Sequence, residues 1–335
     1  MDKITLFGPR ANGNAVPTMD AAAVSSGMAF LTSELEKFDP TLREPLTSVT
    51  YPRDIIINSG GGWIEATSNI NVSYGIAGGN KSRVGGVQND IHRIQADFDK
   101  DVWPTFPFEI TMSVKWVDMQ RGAVTGRAIE KIYDDGIRLA FDKYMDSNTY
   151  VGLEEHGTHG LVNLPKVSAV AVKAGASGAT EWEKKTPEEI LDDINTAILD
   201  AWAASQYDSR AIPNHILLPP KQYMMLVKNI VSVAGTNGAM SIMEYLKQNN
   251  IAKDKGVDIF IGECRWCSGA GVGNKDRMVA YVNDSYFTEM DMPVQLSRVM
   301  TAPNVSDAAY DTLYAANVGC VKVHYYEPFV YRDGI

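Results

Sequence analysis

The sequence predicts an α+β fold in which strand-like and helical segments occupy different parts of the chain. Residues 49–117 alternate apolar and polar side chains, which is typical of half-buried strands. Residues 118–147 carry apolar side chains at the spacing of one helical face. Residues 187–249 then combine two helix-start signals with short apolar runs. This division indicates strands and helices packed around a shared core.

Composition is that of a folded protein with room for a large core. The chain has 335 residues, of which 45% are hydrophobic and 21% charged. A chain of this length normally forms two domains, or one domain with a large insertion. No apolar run approaches the length of a membrane span, so we expect no membrane contact. Three cysteines, and no apolar signal core after Met1, favour a reducing compartment.

Charge argues against a protein whose main task is to grip phosphates. The formal net charge is -10, whereas affinity for nucleic acid depends on clustered Lys and Arg. We therefore expect any contact with DNA to be weak and independent of sequence.

The first elements are an arm and a hairpin. Residues 1 to about 45 are small and polar and predict an arm, with one short helix from Ala21 that ends near Phe38. Four later segments are predicted strands: 53–57, 63–67, 91–98 and 108–116. A Gly-rich polar stretch, 74–86, lies between the second and the third. We expect a hairpin, polar on both faces, that extends from the body and needs a partner surface.

One long helix is predicted next, from an N-cap at Asp118 to about Ser147. At 1.5 Å per residue, roughly 30 residues span about 45 Å. Gly122, Gly126 and Gly136 weaken the expectation for the first half, since each costs about 1 kcal/mol relative to Ala.

The second half alternates helices and short strands after a Gly/His turn at 152–163. Thr186 is a predicted N-cap, and Glu189 closes a capping box with it. Ser241 begins a second capping box, and Pro219 with Pro220 opens another helix. The predicted strands are 216–218, 258–261, 278–282 and 317–330.

Two Gly-rich runs resemble nucleotide-binding loops but fail in context. Residues 75–82 nearly match G-x-x-x-x-G-K-[ST], yet Asn80 replaces the second Gly and no helix follows. Residues 269–273 lack the spacing of a dinucleotide fingerprint and precede a strand. We expect both to be ordinary loops and predict no cofactor.

Three clusters of metal-ligating residues are also incomplete. Cys264 and Cys267 form a single CxxC pair, which cannot close a four-ligand zinc site. The flexible turn that carries His156 and His159 suits a solvated loop. Residues 97–108 fail as a calcium loop, because Val and Phe stand where Gly and Glu are needed. No nucleophile elbow is present, so neither a metal site nor an enzyme is predicted.

Five short motifs, in their order along the chain, resemble a known family. They are Tyr51-Pro-Arg-Asp-Ile, Gly160-Leu-Val-Asn, Ser241-Ile-Met-Glu-Tyr-Leu, Asp276-Arg-Met-Val-Ala-Tyr and Tyr331-Arg-Asp-Gly. Together they resemble the major capsid proteins of tailed bacteriophages, whose fold is shared with encapsulins and the herpesvirus capsid floor. The resemblance covers nearly the whole chain.

The resemblance implies a division of the chain into the parts of the tailed-phage capsid fold. These are an N-terminal arm (1–48), an extended β loop with flanking strands (49–117), a spine helix with the first part of the peripheral domain (118–165), an inserted axial domain (166–300) and a return strand of the peripheral domain (301–335).

The implied function is that of a structural major capsid protein. It would self-assemble as pentamers and hexamers into the icosahedral head that encloses phage double-stranded DNA. The implied location is the virion, after assembly in the bacterial host cytoplasm. The alternatives are an encapsulin-like compartment shell and, from another class, an α/β enzyme with an unrecognised site.

The sequence also predicts partner proteins and residues that contact neighbouring subunits. Since no long charged N-terminal segment is present, we expect a separate scaffolding protein or assembly without one. A portal is expected, with a decoration protein as an additional candidate. We name Lys81, Arg83, Asp97 and Asp99 as subunit-contact residues, because a basic pair at a Gly-rich tip has no local partner. Lys81 and Asn80 lie in no motif that predicts the Lys-to-Asn isopeptide bond of some relatives.

Overall fold

The computed structural model describes residues 45, 47–77, 93–126, 128–232 and 239–335, and from Thr50 onward they belong to one unit. Its strands, in chain order, are β1 (Ile56–Ser59), β2 (Ala66–Ala77), β3 (Arg93–Lys115), β4 (Ala169–Ala171), β5 (His215–Leu218), β6 (Ile230–Ser232), β7 (Ala239–Ser241), β8 (Phe260–Glu263), β9 (Arg277–Tyr281), β10 (Thr288–Met292), β11 (Val294–Asn304), β12 (Ala309–Gly319), β13 (Val321–Val323) and β14 (Val330–Asp333).

The α-helices are α1 (Tyr51–Asp54), α2 (Trp116–Thr125), α3 (Ile129–Tyr150), α4 (Pro187–Ala204), α5 (Pro220–Lys228), α6 (Ile242–Gln248) and α7 (Ile251–Asp254). The predicted start of α4 is confirmed, since Thr186 accepts from the Glu189 backbone and Glu189 closes the capping box. The predicted Pro at the first turn of α5 and the Ser241 N-cap of α6 are confirmed as well.

The part of the chain that carries helices α4 to α7 is called the helical block. A five-stranded sheet in the order β4-β14-β9-β5-β8 lies at its centre. Strand β5 lies in its interior, and all four of its residues are buried. Ile190, Ile194 and Ile198 of α4 belong to the same buried cluster as Ile216 and Leu218 of β5. The 3.6-residue period of α4 and the apolar run of β5 therefore build the main core.

A second sheet, in the order β11-β12-β3-β2, carries the part of the chain that projects. β3 pairs with β12 from Thr105 to Lys115 and with β2 from Arg93 to Pro104. One half of this strand is therefore part of the body, and the other half is one leg of a hairpin. A third sheet, β1-β10-β13, lies in the same unit.

The predicted single long helix is wrong, because it is divided into α2 and α3. Gly126 has φ +69°, a left-handed conformation that ends α2. The first helix also begins at Trp116, so that Asp118 lies in its first turn and is not the N-cap. The helix ends at Gly126 because glycine adopts a positive φ at little cost in energy.

Several strand boundaries differ from the prediction. Residues 53–57 divide into the end of α1 and the start of β1, and β2 begins at Ala66, after residue 63. Segments 91–98 and 108–116 contribute to the single strand β3, while 317–330 contains parts of three strands. The alternating pattern located the strands, but pairing partners far along the chain decided where they end. The helix predicted from Ala21 lies outside the described residues.

Candidate assembly surface

The hairpin of β2 and β3 has two chemically different faces. Its register pairs Ile70 with Lys100, Asn71 with Asp99 and Val72 with Phe98. Opposite residues of an antiparallel pair share a face, and successive residues of one strand alternate between faces. Even-numbered residues of both strands therefore lie on one face, and odd-numbered residues lie on the other.

The even-numbered face is exposed and mainly apolar, with Lys100 as a charged member. Ile70, Tyr74 and Phe98 keep 69%, 73% and 73% of their surface accessible, and Val72 and Val102 are exposed beside them. Removing side chains of this kind from water stabilises a contact by roughly 1.5–3 kcal/mol each. A contiguous exposed apolar row of this type marks an interaction site.

The expectation of a hairpin polar on both faces is thus wrong. The sequence Ile70-Asn-Val-Ser-Tyr74 alternates apolar and polar residues, and the pleat gathers its apolar members with Phe98 of the other strand. This signal was present in the sequence, but the apolar face could be assembled only once the register between the two strands was known.

The odd-numbered face is acidic and amide-rich. Asp97 and Asp99, two of the named contact residues, lie on it, and both are exposed. Asp101 continues the row, and its carboxylate accepts a hydrogen bond of 2.5 Å from the amide of Asn71. The structure therefore brings Asp97 and Asp99 together on one surface. Lys81 and Arg83 lie outside the described residues.

A second exposed apolar surface lies on the body, where α2 meets the β11–β12 sheet. Trp116, Val117 and Val124 of α2 are exposed, as is Met300 of β11. The Trp116 backbone amide donates to the Ala308 carbonyl at 2.9 Å, which ties the start of α2 to the β11–β12 turn. Sequence analysis missed this surface, because its parts are about 180 residues apart along the chain.

The cysteines and the His turn do not form a reactive site. All three cysteines are free and buried. Burial raises the pKa of Cys267 well above its usual value and raises the pKa of Cys320 to about 11. His156 stacks on Phe106 with ring centroids 4.1 Å apart. Within the described ranges, no group of three His, Cys, Asp or Glu side chains is placed to hold a metal ion.

The densest group of titratable side chains surrounds Asp54, which has no exposed surface. Its carboxylate accepts from Tyr150 and from Arg53, and His215 Nε2 lies 3.0 Å away. Burial alone would raise the pKa of Asp54, but the hydrogen bonds from these three groups outweigh it and lower that pKa. Asp54 is fully buried and both of its carboxylate oxygens are hydrogen-bonded, so these contacts hold the fold together.

None of the helices in the described parts of the chain is both long and apolar enough to cross a membrane. The described residues form a body from which a hairpin with an exposed apolar row projects. Comparison with solved structures identifies the fold. The chain is similar to the capsid of Myoviridae phage XM1, with 16% identity, TM-score 0.74, and coverage of 90% of this chain and 98% of that chain.

Two further solved structures share the fold. The capsid of a native GTA particle is 12% identical, with TM-score 0.62 and coverage of 93% of this chain and 98% of that chain. A structure from Microbacterium phage Oxtober96 is 10% identical, with TM-score 0.60 and coverage of 92% and 97%. No curated protein matches the chain.

The family model described as major capsid protein matches residues 79–335, which is well over half of the chain. The chain therefore belongs to the major capsid protein family. It is a structural protein of the viral capsid that assembles with its own copies, and it is not an enzyme. The alternative of an α/β enzyme with an unrecognised site is thus wrong.

Proposed function

We propose that copies of this chain associate into pentamers and hexamers that tile an icosahedral head around phage double-stranded DNA. The observation that carries the proposal is the exposed apolar face of the β2–β3 hairpin. The isolated chain leaves this face in water, whereas a neighbouring copy would cover it. Because the hairpin and the surface that receives it are different parts of one chain, the contact is head-to-tail, the type that forms rings when the rotation between neighbours closes.

The two faces of the hairpin have different tasks in this proposal. The row of Ile70, Val72, Tyr74 and Phe98 packs on the neighbouring copy and supplies most of the contact energy. The row that contains Asp97 and Asp99 stays hydrated at the rim and meets basic groups. Lys81 and Arg83 meet acidic groups of a neighbour in the same way. Rim charges of this kind contribute more to orientation than to affinity.

The proposed parts keep the bounds inferred from the sequence. Residues 1–48 are the arm, 49–117 the extended loop, 118–165 and 301–335 the peripheral domain, and 166–300 the axial domain. The break at Gly126 supports a two-part spine in place of one continuous helix.

We also propose partners and a place of assembly. A separate scaffolding protein, a portal and a decoration protein are the candidate partners, and assembly takes place in the bacterial cytoplasm. The net charge of -10 supports weak, sequence-independent contact with packaged DNA. Membership in a capsid family favours the viral head over a compartment shell.

The test places one negative charge on either face of the hairpin. Val72→Asp puts a carboxylate in the apolar row, and Ser73→Asp puts the same carboxylate one residue further on, in the acidic row. Both side chains are exposed, so both variants should keep their fold; Ser73→Asp faces Asp97 across the strand pair, and this repulsion should cost at most about 1 kcal/mol. Sedimentation velocity should show assemblies for wild type and Ser73→Asp, and only small species for Val72→Asp. Assembly of Val72→Asp at the wild-type concentration would refute the proposal.

A further inference from the structure

The side chain of His324, the residue after β13, contacts both strands of the hairpin near the end that joins the body, which is called the root of the hairpin. The amide nitrogen of Asn69, on β2, lies 3.0 Å from Nδ1 of His324. The ring of Trp103, on β3, meets the imidazole edge-on with centroids 5.4 Å apart. One side chain of the body therefore contacts both strands of the hairpin, and only 6% of that side chain is exposed.

His324 is itself held by a buried charged group. Its Nε2 lies 3.5 Å from Oε1 of Glu289, and the Asn69 amide nitrogen lies 3.0 Å from Nδ1 and 3.2 Å from Nε2 of the same ring. Lys322 lies 3.7 Å from the same oxygen and also pairs with Asp291. Its ammonium stands 5.5 Å from the centre of the Trp103 ring. The position of the His324 side chain is therefore fixed by charged residues of β10 and β13.

The two legs of the hairpin leave the body differently. The β3 leg is continuous with the body, because that strand passes directly from β12 to β2 as its partner. The β2 leg arrives through Gly60, Gly61 and Gly62, whose φ angles are +122°, +108° and +76°. Glycine reaches these backbone angles at little cost, and the end of the connection is held by Asn317, whose side-chain amide donates to the carbonyls of Gly62 at 3.3 Å and Ile64 at 2.8 Å. These bonds stop short of β2, and a two-stranded hairpin alone is marginally stable in water, so a contact within the hairpin adds to the control of its direction.

We propose that His324, Asn69 and Trp103 form an orientation clamp that holds the hairpin at one angle to the body before a neighbouring copy arrives. This inference rests on the proposed function for its consequence, because a hairpin held in its bound direction loses less conformational freedom on assembly. The clamp residues are positioning residues that lie at the root of the hairpin, and they leave the apolar face free for the neighbour.

The matched variants are Asn69→Ala and Asn71→Ala. Both asparagines lie on β2 and on the same face, but Asn69 contacts His324, whereas Asn71 donates to Asp101 within the hairpin. His324→Phe is a second variant, which keeps an aromatic ring beside Trp103 and removes the ring nitrogens.

Spin labels at Ser73→Cys on the hairpin and Ser209→Cys on the body report the angle, since both positions are exposed and the three native cysteines are buried. The labelled chain is measured unassembled by pulsed electron spin resonance. Wild type and Asn71→Ala should give one narrow distance distribution, and Asn69→Ala and His324→Phe a distribution about twice as broad. The protein concentration for half-maximal assembly should rise about tenfold for the same two variants.

The two readouts separate failure of the clamp from failure of the proposed function. A narrow distribution in both Asn69→Ala and His324→Phe overturns the clamp, whether or not shells form. A broad distribution with wild-type assembly overturns its role in assembly. If wild type forms no assemblies, the proposed function fails, and the distance distributions still decide whether the clamp exists.

Discussion

The imidazole of His215 lies 3.0 Å from the carboxylate of Asp54, and this contact joins α1 to the interior strand β5. The two residues are 161 positions apart in the sequence. Tyr281, on the neighbouring strand β9, donates its hydroxyl to the backbone carbonyl of Asp54. The segment that leads into the hairpin is thereby fastened to the centre of the body by polar contacts, all of them buried.

This arrangement predicts that Asp54 stabilises the fold at neutral pH and ceases to do so in acid. Its pKa is lowered in the folded state, so its contribution is complete above the unfolded value of about 3.9 and is lost as pH falls through the folded value. Asp54→Asn should lower the free energy of unfolding by about 1.5–3 kcal/mol at pH 7, because the partly exposed Arg53 loses its ion pair and the buried Tyr150 hydroxyl loses a charged acceptor. Urea unfolding of the unassembled chain at pH 7 and pH 3 measures this. An equal loss at both pH values would contradict it.

A buried ion pair in the helical block gives a second prediction. Lys185 and Asp193 have side chains 1% and 6% exposed, and the Trp182 indole donates to the same carboxylate at 2.9 Å. Asp193→Ala should therefore cost about 3–5 kcal/mol, since it leaves a buried ammonium unpaired. Asp192→Ala, on the exposed side of the same helix, should cost less than about 1 kcal/mol. Similar melting temperatures for the two variants would show that the pair contributes little.

Two glycines, Gly160 in the turn after α3 and Gly136 within α3, give substitutions with opposite expected effects on stability. A Cβ on Gly160 would lie 2.3–2.5 Å from backbone atoms of Tyr150 and Val151. Gly160→Ala should therefore destabilise the fold strongly, because backbone must move. A Cβ on Gly136, within α3, meets nothing within 4 Å, so Gly136→Ala should stabilise by about 1 kcal/mol. Thermal melts of the unassembled variants test both signs, and a tolerated Gly160→Ala would refute the close approach.

The thiols should be inert in the folded protein. Cys264, Cys267 and Cys320 are buried, and burial raises the pKa of the last to about 11. A colorimetric thiol reagent at pH 8 should react at least about 100-fold more slowly with the folded chain than with the chain in urea. The Ser73→Cys variant adds one exposed thiol as the control, and this thiol should react at once. Rapid reaction of the native thiols would contradict their burial.

Local signals in the sequence predicted local structure well. The capping box of Thr186 and Glu189 is present because both hydrogen bonds are made within one helical turn. The end of α2 at Gly126 was not predicted, because the apolar spacing favoured one continuous helix and the three glycines only weakened that expectation. Asp97 and Asp99 lie on one exposed row because alternate residues of a strand share a face, whereas their role in subunit contacts stays a prediction.

Features that depend on distant pairing could not be predicted. The apolar face of the hairpin requires the register of Val72 with Phe98, which no local pattern specifies. The contact of Asn69 with His324 joins residues 255 positions apart, and neither residue belongs to a motif. Parallel pairing of β1 with β10 likewise joins segments more than 200 residues apart.

Shell formation by this chain is tested most directly by negative-stain electron microscopy, with sedimentation, of the protein expressed alone and with its neighbouring genes. Closed shells, or rings of five and six subunits, are the predicted result, and Val72→Asp prepared in parallel should show neither. A monodisperse monomer under every condition, co-expression included, would contradict assembly through the hairpin.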